Sequence, residues 1–301
     1  MPKRDDGFGA ELQAHEVLKN LDISSLPVNP FSVADRKEIL YQEKPSFSPG
    51  ISGCLMKVGD AFGILYSSRF ASEGFKRFTV AHELGHYFLP GHMEALFGKG
   101  QQCHYSQSGF TSDDKYEREA DSFAAGLLMP TVLFRPACGK HGQGLDAIQA
   151  LADLCVTSLT ATAIRFVKLS YEPVAIVCSV GDRIQFTFMS KPLQDMRGLT
   201  WIRRGACIPS GTATATFNKN EDNVRRGKRI SSTTTLDTWF DGDSGAEFNE
   251  EVVGLGEYGK TLTVLWADSL PGDEELEVSV NEELEQEDEN LLPSQRWRQR
   301  W

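Results

Sequence analysis

The stretch that decides the fold is Phe78-Thr79-Val80-Ala81-His82-Glu83-Leu84-Gly85-His86-Tyr87-Phe88, with His82-Glu83-x-x-His86 at its centre. Two histidines four positions apart on a helix face the same side, so both imidazoles can bind one metal ion. Glu83 lies off that side and can reach a metal-bound water without ligating the metal. Zinc lowers the pKa of such a water to about 7, and Glu83 can pass its proton to a leaving amine. The pattern therefore predicts a site for peptide hydrolysis.

A catalytic zinc takes three protein ligands, and the helical pattern of residues 116–130 supplies the favoured third one. Glu117 and Asp121 are four positions apart and share a helix face. Glu117 can therefore bind the metal while Asp121 accepts a hydrogen bond from the outer nitrogen of a histidine ligand. Glu119 is predicted to point away from that face, toward solvent or Arg118.

His92 is a rival third ligand, because it follows His82 by ten positions, as in motifs of the form His-Glu-x-x-His-x-x-Gly-x-x-His. That motif turns sharply at its glycine, where this chain has Leu89. The pattern therefore favours Glu117. The simpler interpretation of His92 is a loop histidine at the cleft that contacts substrate.

Both blocks, residues 77–89 and 117–130, resemble the ImmA/IrrE metallo-endopeptidases, and the similarity extends over about residues 8–135. The resemblance implies a zincin-like core in which His82, His86 and Glu117 hold the metal. It also implies a regulatory protease that cleaves a helix-turn-helix repressor and so switches on stress-response or mobile-element genes, including those of phages. Zinc is the expected metal, and the ligand set also admits manganese. The alternative is a non-catalytic regulator that sequesters a partner, or a toxin-antitoxin component. An intact Glu83 favours the enzyme.

Composition agrees with a cytoplasmic enzyme, which is our expectation for this chain. The start, Met-Pro-Lys-Arg-Asp-Asp, lacks the apolar stretch of a signal peptide, and no run is long enough for a membrane span. The six cysteines are scattered, which argues against a disulfide framework or a structural zinc cluster. The net charge of −11 repels the phosphates of nucleic acid, so direct nucleic-acid binding is not expected. The expected partner is a protein substrate.

The expected fold class is α+β, in four segments. Residues 145–155 and 158–169 read as a helix-turn-helix-like pair, but Arg165 is the chief polar side chain on its second helix, so a packing element is favoured over a DNA reader. The basic cluster at 225–229 is interpreted as a solvated loop. The segments are a peptidase domain at 1–138, a helical connector at 139–170, a mixed-sheet and sensor-like domain at 171–270, and an acidic disordered tail at 271–301 with an Arg- and Trp-rich end.

The segment between the two motif helices, residues 98–114, is rich in glycine and glutamine and is predicted to be a flexible lid beside the cleft. Side chains there or next to it are candidates for contacting substrate or the oxyanion of peptide attack. These candidates are His92, His104, Tyr105 and Tyr116.

Overall fold

The structure is a computed structural model that describes residues 7–268 except 46, 49, 69–71, 99, 108–111, 113, 197 and 242–244. The predicted acidic tail at 271–301 lies outside the described residues. Over the described part, the chain forms twelve α-helices and two separate β-sheets. The predicted α+β class is confirmed.

The first sheet has four strands in the order β1-β3-β2-β4. β1 and β3 are parallel, whereas β2 pairs antiparallel with both of its neighbours. Gly59, with a φ of 61°, makes the tight turn between β2 and β3. The strands are β1 (Leu40–Lys44), β2 (Ile51–Val58), β3 (Ala61–Ser67) and β4 (Cys103–Gln107).

Eight helices precede the second sheet along the chain, and α7 and α8 pack on strands of that second sheet. α3 and α5 cross closely and pack with α1 into a core in which Leu84, Phe123 and Leu127 are fully buried. Burying each such side chain contributes about 1.5–3 kcal/mol. The helices are α1 (Phe8–Asn20), α2 (Pro30–Asp35), α3 (Glu73–Phe88), α4 (His92–Phe97), α5 (Lys115–Leu128), α6 (Thr131–His141), α7 (Gly144–Cys155) and α8 (Leu159–Leu169).

The prediction of a lid loop over residues 98–114 was wrong in its middle, because β4 lies there. β4 pairs with β2 and forms one edge of the first sheet. Its Cys-His-Tyr-Ser-Gln sequence is short and polar, so it carries a weak strand signal. The pairing partner, which is distant in sequence, decides its conformation.

The α7–α8 pair is a packing element, as its sequence indicates. Ser158 caps α8 by accepting a hydrogen bond from the Ala161 amide at 3.2 Å. Arg165 is buried and donates to Glu11 Oε1 at 2.7 Å and to the Met129 carbonyl at 3.0 Å. Its guanidinium is therefore engaged inside the protein rather than presented to nucleic acid.

No single helix of the described residues is long and apolar enough to cross a membrane, although α7 and α8, bent by 111°, pass that test as a pair.

The second sheet has five strands in the order β6-β5-β9-β8-β7. All of its pairings are antiparallel, which corrects the expected mixed sheet. The two-residue turn Gly181-Asp182 joins β5 to β6, and residues 255–260 join β8 to β9. Connections this short suit antiparallel neighbours, because parallel pairing needs long crossovers. The strands are β5 (Val174–Val180), β6 (Arg183–Met189), β7 (Arg229–Thr235), β8 (Glu247–Gly254) and β9 (Thr261–Trp266), with helices α9 (Lys191–Asp195), α10 (Ala213–Asn218), α11 (Glu221–Arg225) and α12 (Leu236–Phe240).

β5 is buried on both faces and contributes side chains to two separate hydrophobic cores. Ile176 and Cys178 belong to the core that also contains α7 and α8, whereas Ala175 and Val177 pack in a second core with Trp239. The boundary predicted between residues 138 and 139 falls inside α6. Domain limits drawn along the sequence remain predictions here.

Candidate metal centre

The first wall of the site is α3, which carries His82, Glu83 and His86. The helix starts at its cap Ser72, whose hydroxyl accepts a hydrogen bond from the Phe75 amide at 3.3 Å. Its last two turns are enclosed by α5 and the first sheet, so all three polar side chains are buried. Buried polar groups need partners, and those partners define the site.

α5 forms the second wall and brings Glu117 and Asp121 against the two histidines. Glu117 Oε2 lies 3.3 Å from His82 Nε2, and Glu117 Oε1 lies 3.4 Å from His86 Nε2. Asp121 Oδ1 is 2.8 Å from His82 Nδ1, the nitrogen that points away from Glu117. The close approach of the helices depends on Gly85, because a Cβ there would stand 3.1 Å from Ala120 Cα.

His82, His86 and Glu117 fit a metal ion. The two Nε2 atoms are 3.1 Å apart, and ligand atoms of the three residues all lie within 4.8 Å of one another. A tetrahedral zinc with bonds of about 2.0–2.2 Å holds its ligand atoms about 3.3–3.6 Å apart. The Nε2–Nε2 spacing of 3.1 Å is close to that edge length, and so are the 3.3 and 3.4 Å that separate the two nitrogens from different oxygens of Glu117.

The electrostatics of the three ligands also favour a cation between them. Burial by itself would lower the pKa of His82, but hydrogen bonds with Asp121 and Glu117 outweigh it and raise that pKa to about 10. Burial lowers the pKa of His86 to about 3. Burial would raise the pKa of Glu117, but its bonds to His104, His82 and His86 hold it far below its usual range. The carboxylate stays ionised and attracts a positive charge.

His92 lies behind His86 and faces neither the metal position nor solvent. It is fully buried at the start of α4, with its Nδ1 3.0 Å from His86 Nδ1. Its other ring nitrogen is 3.2 Å from Glu119 Oε2. The prediction that His92 contacts substrate was therefore wrong, and so was the solvated position predicted for Glu119. Together they orient His86, as Asp121 orients His82.

Glu83 sits in a pocket without hydrogen-bond partners. Neither of its carboxylate oxygens has one within the described part of the chain, and the side chain is fully buried. Burial raises the pKa of Glu83 to about 7, with His82 and the nearby Ser106 hydroxyl opposing part of that rise. The Ser106 hydroxyl is close but outside hydrogen-bonding geometry. A carboxylate in this condition is poised to exchange a proton near neutral pH.

Gly53 makes room for Glu83, and sequence reasoning missed it. Gly53 lies on β2 directly opposite Ser106 of β4. A Cβ at Gly53 would stand 2.6 Å from Glu83 Oε1 and 2.6 Å from Thr79 Cγ2. A glycine inside a strand pattern is the signal that could have indicated this close approach.

Of the remaining candidates, His104 alone contacts a predicted metal ligand. Its Nε2 is 2.9 Å from Glu117 Oε1, and its ring centroid is 4.7 Å from that of His86. Tyr105, the next residue of β4, points to the opposite face of the sheet and is 53% exposed, so its predicted contact with the site was wrong. Tyr116 packs edge-on against His92 at 5.0 Å, behind the site.

Comparison with known proteins agrees with this geometry. Residues 57–166, a little over a third of the chain, match the model of the Peptidase M78 family, described as the IrrE N-terminal-like domain. The similarity is to the IrrE N-terminal-like domain and concerns this segment. The match contains α3, β4 and α5, and therefore every residue of the metal centre. The ImmA/IrrE resemblance drawn from the two motif blocks is confirmed.

The fold extends beyond the IrrE-like segment. A solved Mycobacterium tuberculosis transcriptional regulator superposes with a TM-score of 0.55 over 87% of this chain and 76% of its own, at 12% sequence identity. At that identity the similarity concerns the fold alone. No curated protein matches the sequence.

Proposed function

We propose that this protein is a zinc-dependent endopeptidase that cleaves a helix-turn-helix transcriptional repressor. The observation that carries the proposal is the arrangement of Glu83, buried and without a partner, beside the His82, His86 and Glu117 cluster of an IrrE-like domain. A structural metal site does not need a buried carboxylate without hydrogen-bond partners beside its three ligands. A peptidase needs one as a general base.

Each residue of the centre has a role in this proposal. His82, His86 and Glu117 hold the metal, while Asp121 and the His92–Glu119 pair fix the orientation of the two imidazoles. When bound, zinc polarises the scissile carbonyl and activates water as a nucleophile. Glu83 accepts the proton of the attacking water and delivers it to the leaving amine. His104, beside Glu117, donates to the developing oxyanion.

The repressor as substrate is the step that rests on the family resemblance. Fold and family do not by themselves define a substrate. The structural neighbour is named a transcriptional regulator. For this reason the experiment measures binding of the repressor as well as its cleavage.

The test takes as substrate a helix-turn-helix repressor encoded beside this gene, the class that the family resemblance implies, and incubates it with the full chain with and without zinc or manganese. Products are followed by gel and by mass spectrometry. Discrete fragments that require metal are expected from the wild type. Glu83→Gln should bind the metal normally and produce no fragments, because it removes the base and none of the ligands.

Glu16→Gln is the matched control, since Glu16 is exposed on α1 and the substitution removes the same charge. It should cleave like the wild type. A repressor that stays intact but bound, with equal effect from wild type and Glu83→Gln, would show that the protein is a non-catalytic regulator and would overturn the proposal.

A further inference from the structure

A cavity lies between the helices α5 and α8 and the strand β6 of the second sheet, and the proposed peptidase chemistry does not use it. It has a volume of about 680 Å³ and is bounded by α5, α8, β6 and the segment 201–204. None of His82, Glu83, His86 and Glu117 lines it. The cavity therefore borders the metal centre without containing its proposed metal ligands or Glu83, and Glu119 and Asp121 line it. Asp121, whose Oδ1 holds His82, lies in the wall between the two.

The lining of this cavity carries six cationic side chains and two carboxylates, those of Glu119 and Asp121, although the whole chain has a net charge of −11. Two of its cations are neutralised locally, since Arg165 pairs with Glu11 at 2.7 Å and Lys115 with Glu119 at 3.4 Å. Arg203 and Arg204 are exposed, and their side chains make no hydrogen bond or ion pair with any described residue. The cationic side chains of the lining are Lys115, Arg118, Arg165, Lys168, Arg203 and Arg204.

Aromatic rings occupy the same cavity. Phe186 and Phe188, on one face of β6, are 5.7 Å apart between ring centroids, and Lys168 Nζ lies 5.9 Å from the Phe188 ring centre. Trp201, immediately before Ile202 and the two arginines, is 47% exposed. A large aromatic side chain left open beside two unpaired guanidinium groups offers a stacking surface next to anion-binding donors.

From this combination we propose that this cavity binds a nucleotide-class ligand, a small molecule that joins a planar ring to phosphate groups. The volume lies within the range of about 300–1,000 Å³ that is usual for small-molecule sites. Guanidinium groups match phosphate oxygens bidentately, so Arg203 and Arg204 hold the phosphates while Trp201 stacks on the ring. The proposal is independent of whether the metal centre cleaves peptides.

The experiment is a calorimetric titration of the zinc-loaded full chain with ADP and, separately, with pyrophosphate. ADP is expected to bind and to change tryptophan fluorescence. The double variant Arg203→Ala/Arg204→Ala should weaken both ligands by about tenfold or more, because each charge-assisted bond lost has that order of effect. Trp201→Leu should weaken ADP, leave pyrophosphate unchanged and abolish the fluorescence change.

Arg225→Ala/Arg226→Ala is the matched control. It removes two consecutive exposed arginines from α11 and its end, away from the lining of the cavity. It should bind ADP like the wild type, and circular dichroism checks that both double variants fold.

Three results would overturn the proposal. The first is the absence of ADP binding at millimolar concentration. The second is binding that Glu117→Ala abolishes and Arg203→Ala/Arg204→Ala spares, which would place ADP on the metal. The third is an acidic peptide, such as one with the sequence of residues 273–290, that binds through the two arginines while ADP does not.

Discussion

A Cβ atom placed on Gly53 would stand 2.6 Å from Oε1 of Glu83, so the glycine of β2 makes the room that the Glu83 carboxylate of α3 occupies. Gly53→Ala should therefore push the Glu83 carboxylate aside while leaving His82, His86 and Glu117 in place. If the protein is the peptidase proposed above, its cleavage rate should fall by about tenfold to a hundredfold, as for small misplacements of a reacting group. The zinc content, measured by mass spectrometry, should not change.

Gly63→Ala is the control for that substitution. Gly63 lies on the neighbouring strand β3, and the nearest atom to its added Cβ is the Leu40 carbonyl oxygen at 3.7 Å, an ordinary contact. If Gly53→Ala and Gly63→Ala retain equal activity, the close approach to Glu83 has no catalytic importance.

Gly85→Ala should separate the two helices that hold the metal ligands. The added Cβ would lie 3.1 Å from Ala120 Cα and 3.2 Å from the Ala120 carbonyl oxygen, which are backbone atoms that cannot rotate away. We expect a loss of about 1–3 kcal/mol in the free energy of unfolding and weaker zinc binding, because α5 carries Glu117. Urea unfolding and chelator competition measure the two effects.

Gly9→Ala, on α1, has nothing within 4 Å of its added Cβ and should leave the zinc affinity unchanged. Zinc affinity of Gly85→Ala equal to that of Gly9→Ala would contradict the role assigned to this helix crossing.

His92 should act on the metal through His86. His92→Phe keeps an aromatic ring in the buried space but removes the nitrogen that lies 3.0 Å from His86 Nδ1. We expect zinc affinity to fall by about 10- to 100-fold, the usual effect of losing the partner of a histidine ligand. Glu119→Gln should have a smaller effect of the same sign, because it acts one bond further away. An unchanged affinity in His92→Phe would show that His86 needs no such support.

Removing the metal should destabilise the fold. Chelation leaves Glu117 ionised beside histidines that no longer share a cation, so we expect the melting temperature to fall. A ligand at a hundred times its dissociation constant stabilises by about 2.7 kcal/mol. Differential scanning fluorimetry with and without chelator measures the change. Glu117→Ala should show no further fall on chelation, whereas Glu16→Ala should behave like the wild type.

The buried thiols should make stability fall in alkaline solution. Burial raises the pKa of Cys155 to about 12 and that of Cys178 to about 11, whereas thiols of the unfolded chain ionise near 9. Between these values the unfolded chain loses protons that the folded chain keeps, so rising pH favours unfolding. At pH 10 the expected loss is about 1.4 kcal/mol per thiol. Urea unfolding from pH 8 to 10 tests this.

Cys178→Ala should reduce the steepness of that decline by about one thiol's share. Cys207→Ala should leave it unchanged, because Cys207 is exposed. Equal slopes in all three proteins would refute the assignment.

The sequence by itself predicts the two motif helices and their site residues. The spacing of His82, Glu83 and His86, and that of Glu117 and Asp121, follows from the helical repeat, so the order of residues along the chain is enough to identify them. The sequence also predicts the helices α7 and α8 and the strands β5 and β6, because long apolar patterns are local signals. The family was readable for the same reason, since both motif blocks are continuous.

Only the tertiary structure decided which distant groups meet. β4 is a strand because it pairs with β2, which is distant in sequence. His92 lies behind His86 because α4 packs against α3. Gly53 of β2 lies next to Glu83 because the first sheet packs on α3. The cavity between α8 and β6 likewise collects charges from separate parts of the chain. Helical and strand periods depend on residues that are close in sequence, so they can be predicted from it. Contacts between elements depend on how distant side chains pack, which no local pattern predicts.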